Sequence, residues 1–315
     1  MTPTQAEIRR AASLLRAGKL VAFPTETVYG LGANAFDAAA VARIFEAKGR
    51  PRSSPIIVHV NSMEMAKLVV REWPPSAQTL ASTLWPGPLT LVLHKQPSIP
   101  DLVTAGLDTV GVRMPAHPIA LALIDAAQVP VAAPSANRFT ELSPTIAEHV
   151  RESLGDRVDY ILDGGPCTVG IESTVLSVVT EPPTLLRPGG LPRQQIEGLI
   201  GPISGQPAQF PGPHPSPGMH PRHYSPRTYL VLAPDGVVPT SGRGAYIQVR
   251  HPPAGSMAKC VQMPADPAGY ATHLYFILHQ LDSEGFDWIA VEPPPSSAEW
   301  EAVLDRLRRA ASESH

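Results

Sequence analysis

The segment PTETVYGLG (Pro24–Gly32) sets hydroxyls, a carboxylate and two glycines directly after a short apolar run and before a helical pattern. Polar groups at the carboxyl end of a strand suit a ligand crevice in an α/β sheet, and an ordinary strand–loop–helix turn is the alternative. A second segment, KGRPRSSPIIVHV (Lys48–Val60), crowds Lys48, Arg50 and Arg52 at a helix end, ahead of Ser53, Ser54 and an apolar strand that holds His59. Basic groups there can serve only the helix dipole. Three of them beside two serines also suit a polyphosphate. His59, between Val58 and Val60, reads on its own as a satisfied core histidine.

In DTVGVRMPAHP (Asp108–Pro118), strand alternation puts Val110, Val112 and Met114 on one face, and Thr109, Gly111 and Arg113 on the other. A guanidinium among small neighbours on a buried sheet needs a partner. A bidentate carboxylate fits its fork best, whether from a ligand or from a buried Asp or Glu. The nearby turn PSAN (Pro134–Asn137) offers hydroxyl and amide groups without charge. DGGPCTVGIESTV (Asp163–Val175) and LLRPGG (Leu185–Gly190) combine glycines, which allow close backbone approach, with Ser173, Thr174 and Arg187. Cys167 lies in that run without a His–Asp pattern to activate it, so a small polar-loop thiol is its expected role. The sequence contains no GxxxxGK[ST] phosphate loop, no GxGxxG after a strand, no HExxH and no paired CxxC. Bound phosphates would therefore rest on arginines, lysine and hydroxyls. Such a cationic and neutral inventory gathers anions and lets a substrate group act as nucleophile.

The elements that must position these groups alternate. The pattern predicts a helix from a Thr4–Glu7 capping box to Gly18, with Ile8, Ala11, Ala12 and Leu15 inward. It predicts further helices at Asp37–Lys48, Ser62–Val70, Pro118–Ala127 and Thr145–Leu154. Strands are expected at Leu20–Phe23, Ile56–Val60, Leu89–Leu93, Val110–Met114, Val131–Ala133, Val158–Leu162 and Thr174–Val179. The implied fold is an α/β domain with a mixed sheet, over residues 1–203. Seven prolines then fall within residues 204–226, a segment that can be neither helix nor central strand and reads as an extended linker. Residues 227–315 carry a smaller α/β pattern, with strands at Tyr229–Ala233, Ala245–Val249 and Trp288–Glu292, and helices near Ala268–Ser283 and Ala298–Ala311.

Composition sets the outer bounds. The 315 residues are 43% hydrophobic and 17% charged, which permits a normal core, and the formal charge of −3 gives no global basic field for nucleic acid. Two cysteines, Cys167 and Cys260, exclude a disulfide scaffold and a multi-cysteine zinc site, and suit a reducing cytosol. No apolar stretch is long enough to span a bilayer and the first residues do not read as a secretory signal, so a cytoplasmic protein without membrane contact is expected.

Taken in order, PTETVYGLG, KGRPRSSP with His59, WPGPLTLVL (Trp85–Leu93), GVRMP, APSAN with Ser143-Pro144-Thr145, GIESTV and LRPGG resemble the YrdC-like threonylcarbamoyl-AMP synthases. SPGMHPRHYSP (Ser216–Pro226) and the small domain after it resemble the long, two-domain form of that family, so the likeness spans essentially the whole chain. Each motif alone is weak, and their number and order carry the resemblance. It implies an open, twisted mixed sheet followed by a smaller Rossmann-like α/β domain. It also implies that L-threonine, bicarbonate and ATP, with Mg2+, become threonylcarbamoyl-adenylate and pyrophosphate. A separate transferase then moves the group to adenosine 37 of tRNA. By matching positions, threonine is held by Thr27, His59, Arg113, the Ala133 backbone and Ser173. ATP is held by Arg50, Ser54, Thr109, Ser135, Asn137, Ser143, Arg187 and Tyr224, and Lys48 and Arg50 act at the reacting groups. No protein metal ligands are implied. The linker, with Met219, His223 and Tyr224, is expected to fold over the site as a lid, and a simple anchor for the second domain is the alternative for Tyr224. A linker of His220-Pro221 departs from the basic and aromatic residues common there in the family. The competing reading is a non-catalytic module for double-stranded RNA, against which the negative net charge argues. The related carbamoyl-transfer unit of hydrogenase-maturation proteins needs zinc-binding cysteines that this chain lacks.

Overall fold

Burial of apolar strand faces on both sides organises residues 3–205. The structure is a computed structural model that describes residues 3–205 and 223–311. The strands are β1 (Val21–Phe23), β2 (Gly30–Asn34), β3 (Val58–His59), β4 (Leu89–His94), β5 (Thr109–Arg113), β6 (Val131–Ala132), β7 (Tyr160–Ile161), β8 (Thr174–Ser177) and β9 (Thr184–Arg187). They form one sheet in the order β7-β1-β2-β6-β3-β5-β4-β8-β9. The expected mixed character is present. β1–β7, β3–β5 and β4–β8 pair parallel, and the other neighbours pair antiparallel.

Local chemistry explains the elements around the sheet. Thr4 and Glu7 make the capping box of helix Gln5–Arg16, whose buried face is Ile8, Ala11, Ala12 and Leu15. The Asp37 carboxylate caps helix Ala38–Lys48 by accepting from the Ala39 and Ala40 amides at 2.9 and 3.1 Å. Gly49, at φ 63°, ends that helix in the left-handed conformation, and so Lys48 and Arg50 leave the last turn toward the sheet.

Two parts of the sequence reading need correction. PTETVYGLG does not lead straight from strand to helix, because its last residues begin β2. Glycine is a poor strand former, but a Cβ on Gly32 would meet Val131 and Phe23 at 2.8 and 2.9 Å, so close packing of three strands overrides propensity. Helices Pro75–Leu84 and Arg193–Ile200, strand β9 and the strand Lys259–Gln262 were also not foreseen. The expected strand Ile56–Val60 shrinks to two paired residues.

Residues 223–311 carry a second sheet of β10 (Tyr229–Leu232), β11 (Gly244–Gln248), β12 (Lys259–Gln262) and β13 (Trp288–Val291), all parallel, in the order β10-β13-β11-β12. Helices Pro267–Ser283 and Glu301–Ala310 cover it, and the first also packs on the large domain. Val28, Leu142 and Ile171 share a buried apolar cluster with Tyr270, Leu274 and Tyr275. Most of the expected linker, residues 206–222 with Met219 and His220, lies outside the described residues.

One contact between the two parts is backbone against backbone. Gly170 has φ 79°, and a Cβ there would meet the Ala271 carbonyl oxygen and Thr272 Cα, both at 2.5 Å. The Thr272 hydroxyl donates to the Thr168 carbonyl at 3.0 Å beside it. Gly170→Ala therefore combines left-handed strain with a clash. It is expected to cost about 1–3 kcal/mol, read as a melting temperature lowered by several degrees. An unchanged melting temperature would mean that this approach can relax freely.

Candidate active site

Parallel pairing of β3 with β5 sets His59 beside Arg113, and Val58 pairs with Ala132 of β6. The turn Pro134–Asn137 is stitched to the start of β2 by two amides, Leu31 donating to the Pro134 carbonyl and Ala136 to that of Tyr29, and the Tyr29 amide donates to the Pro144 carbonyl, each at 2.8 Å. These elements enclose a crevice of about 520 Å3 empty volume. Thr27, Arg50, His59, Arg113, Ala133, Ser135, Ser173, Arg187 and Tyr224 line it, together with Thr25, Glu172 and His223. Groups scattered over two hundred residues of sequence meet in one place.

Arg113 is 3% exposed. Its Nε donates to the Gly87 carbonyl at 3.2 Å and one terminal nitrogen to the Thr27 hydroxyl at 2.9 Å, while the other lies 2.6 Å from the Glu26 carboxylate. The protein carboxylate that could pair with this guanidinium is thus Glu26. Thr25 shapes the same loop, since its hydroxyl donates to the Val28 carbonyl at 2.7 Å and accepts from the Thr27 and Val28 amides. His59 lies edge-on to Phe23, with ring centroids 6.1 Å apart. Burial, and then the charge of Arg113, pushes its pKa down to about 3, so the imidazole is neutral near physiological pH.

A second group of cations stands across the crevice. Arg50 donates to the Ser54 hydroxyl at 2.6 Å and the Pro55 carbonyl at 2.9 Å, and burial lowers its pKa to about 10. Arg187 donates to the Ser173 carbonyl at 2.8 Å, and the Ser173 hydroxyl lies 2.8 Å from that of Thr90. A Cβ on Gly189 would meet the Glu172 carbonyl oxygen and the Thr174 nitrogen at 2.4 Å, so only glycine lets the LRPGG loop lie this close to GIEST. Tyr224 enters at φ 61°, is 1% exposed, and its hydroxyl has no hydrogen-bond partner among the described residues. Burial, and then Glu172, raises its pKa, which keeps the phenol a donor.

Five expected residues do not line the crevice directly. Lys48 is one of them. Its buried ammonium donates to the Ser135 carbonyl at 2.8 Å and to that of Asn137, so it braces the turn instead of facing the ligand space. A buried ammonium must find acceptors, and two strand-end carbonyls are what the fold supplies. Burial, and then Arg50, depresses its pKa. The Asn137 amide nitrogen donates to the Arg138 and Glu141 carbonyls, at 2.8 and 2.9 Å. Ser54 sits behind Arg50, and Thr109 opens on a smaller recess that shares Ile57 with the crevice. Ser143 donates to Glu172 at 2.5 Å, one step behind the lining. Burial raises the pKa of the Cys167 thiol, which disfavours the thiolate that a nucleophile would need.

Residues 13–189 match the family model described as telomere recombination (Sua5, YciO and YrdC), and residues 191–312 match the threonylcarbamoyl-AMP synthase C-terminal domain. The chain belongs to the Sua5–YciO–YrdC family. It is 43% identical to the threonylcarbamoyl-AMP synthase of Pyrococcus abyssi, over 97% of this chain and 94% of that one. Identity to the Bacillus subtilis threonylcarbamoyl-AMP synthase is 42%, over 97% and 93%. The crystal structure of P. abyssi Sua5 complexed with L-threonine matches with a TM-score of 0.90 at 40% identity, covering 99% of this chain and 96% of that one. Escherichia coli YciO, at 24% identity and a TM-score of 0.53, shares the fold over 60% of this chain.

Glu26 and Glu172 were missed as site residues although both stand inside the motifs quoted above. The available signal was charge balance, because buried guanidinium groups require nearby carboxylates. Histidine burial gives a pH dependence. His59 and His149 sit at about 3 and His279 at about 4, all below the ordinary 6.5, with burial the first cause of each. The folded chain therefore binds fewer protons than the unfolded one. Their contribution to stability is complete above about pH 6.5 and is lost as pH falls toward those values. The melting temperature should drop between about pH 7 and pH 5, and His279→Gln should reduce that drop. A melting temperature independent of pH over this range would contradict the assignment.

Proposed function

We propose that this crevice condenses L-threonine, bicarbonate and ATP to threonylcarbamoyl-adenylate and pyrophosphate. The observation that carries the reading is the convergence of Arg50, Arg113 and Arg187 with neutral hydroxyls in one crevice of a chain that matches a threonine-bound relative across both sheets. Arg113 and Thr27 hold the threonine carboxylate, with His59, the Ala133 backbone and Ser173 around the rest of the amino acid. The incoming zwitterion brings one ammonium and one carboxylate, so the Arg113–Glu26 charge balance survives its arrival. Arg50 and Arg187 offset the phosphates, and Ser54, Thr109, Ser135, Asn137, Ser143 and Tyr224 complete the nucleotide half. Lys48 acts through the 134–137 turn.

In this arrangement the threonine ammonium first releases a proton to solvent; the amine then attacks the bicarbonate carbon, a C–N bond forms, and the bicarbonate hydroxyl leaves as water with a second proton from the nitrogen. A carbamate oxygen then attacks the α-phosphorus, and pyrophosphate departs with the electron pair of the broken P–O bond. Holding the reactants together supplies most of the acceleration, which is why no conspicuous general base is required. Among the described residues no cluster of three His, Cys, Asp or Glu could hold a metal ion. Magnesium, where it takes part, would be held by the nucleotide phosphates and offset their charge. The adenylate is a hydrolysable anhydride. His223 and Tyr224 form one wall of the crevice, which fits the linker as a lid that keeps water from it. The product passes to a transferase acting on tRNA, which sets the work in the cytosol. No helix among the described residues is long and apolar enough to cross a membrane.

Pyrophosphate release from ATP should require both threonine and bicarbonate, and equal release without threonine would refute the reaction. Arg113→Lys keeps the charge but loses the fork, so kcat/KM for threonine should fall about a hundredfold or more while ATP affinity changes little. Normal threonine kinetics in the folded variant would remove Arg113 from its role. Tyr224→Phe, which keeps the buried ring and removes the hydroxyl, should weaken ATP use and raise the share of free AMP with little change in melting temperature.

A further inference from the structure

Glu172 is 7% exposed and accepts from both parts of the molecule. From the large domain, the Ser143 hydroxyl donates to it at 2.5 Å. From the small domain, the Tyr275 hydroxyl donates at 3.1 Å and Arg306 Nε at 2.7 Å. Arg306, on the last helix, has a completely buried side chain. It also donates to the Pro188 carbonyl at 3.0 Å, pairs with Asp305 at 2.6 Å, and lies 4.9 Å from the centre of the Tyr224 ring. One guanidinium thus touches the GIEST loop, the LRPGG loop and Tyr224. His279 of the small domain adds a contact to the Ser143 carbonyl at 3.2 Å.

We propose that Arg306 is a positioning residue for the nucleotide half of the crevice, so that the small domain forms the back wall of the active site. The inference rests on the functional reading above and extends it to residues outside the large domain. Domain docking alone does not require a buried ion pair, since apolar packing of the same volume is often as stable or more so. The fork of Arg306 does what apolar groups cannot: it fixes a carboxylate, a carbonyl and an aromatic ring at once. Arg187 is the other guanidinium whose charge acts on Glu172. Removing Arg306 would leave a buried carboxylate to draw Arg187 away from the phosphates.

The test uses the full chain with Arg306→Gln, Arg306→Lys, Glu172→Gln/Arg306→Gln and Tyr275→Phe. ATP affinity by calorimetry without threonine or bicarbonate should weaken about tenfold in Arg306→Gln, while threonine affinity shifts less than about twofold. Arg306→Lys should lie between wild type and Arg306→Gln, and the double variant should regain part of the loss because no orphan carboxylate remains. Equal loss for both ligands, or unchanged ATP affinity in a folded Arg306→Gln chain, overturns the proposal. Should Arg306→Gln not fold, Tyr275→Phe decides, with ATP binding about threefold weaker expected and unchanged binding contradicting. Because these titrations need no turnover, a wild-type chain that binds ATP but makes no pyrophosphate would refute the functional reading and leave the Arg306 result standing.

Discussion

Three guanidinium groups and an ammonium, from Arg50, Arg113, Arg187 and Lys48, are buried around one crevice, and this concentration of like charge is the constraint the surrounding loops answer. An unpaired buried ion costs several kcal/mol, so each must be given acceptors by the fold. Arg113 has Glu26 and the Gly87 carbonyl, Arg50 has Ser54 and Pro55, Arg187 has Ser173, and Lys48 has two carbonyls of the 134–137 turn. Loops that look irregular in outline are cages for cations. The same low-dielectric setting makes each cation act strongly on an anionic ligand.

This constraint also accounts for the close backbone approaches. Gly189 brings the LRPGG loop against residues 172–174, which puts the Ser173 carbonyl within reach of Arg187. Gly170 brings the other side of the GIEST segment against helix Pro267–Ser283. The segment 170–174 is therefore held between an arginine loop and a second domain. Its carboxylate, Glu172, would be raised by burial alone, yet Arg306 and Arg187 outweigh that and hold it below the usual carboxylate value. Ionised, it can accept from the hydroxyls of Ser143 and Tyr275 at a single point.

How much of this was legible in the sequence depended on the range of the interaction. Alternation around Arg113 placed it on the face opposite Val110 and Val112, and helical spacing found Ile8 to Leu15 and the helix that begins at Asp37. These are local rules. His59 read as a core histidine when taken alone, and only the register with Arg113 puts it on the crevice. β2 was hidden because its glycines answer to Phe23 and Val131, which are neighbours in space alone. Lys48 was expected at the reacting groups because its charge is visible in the sequence, whereas the carbonyls that take it up, 87 and 89 residues away, are not. Arg306 lies 134 residues from Glu172, and nothing in its own neighbourhood marks it.

The central claim is that one crevice, walled by both parts of the chain, holds the amino acid and the nucleotide together. A crystal structure of the full chain with L-threonine and a non-hydrolysable ATP analogue tests it most directly. The account predicts the threonine carboxylate on Arg113 beside Thr27, and the phosphates between Arg50 and Arg187 under Tyr224. A nucleotide bound instead at the carboxyl ends of β11 and β13, near Arg250 and Glu292, with the crevice empty, would contradict it.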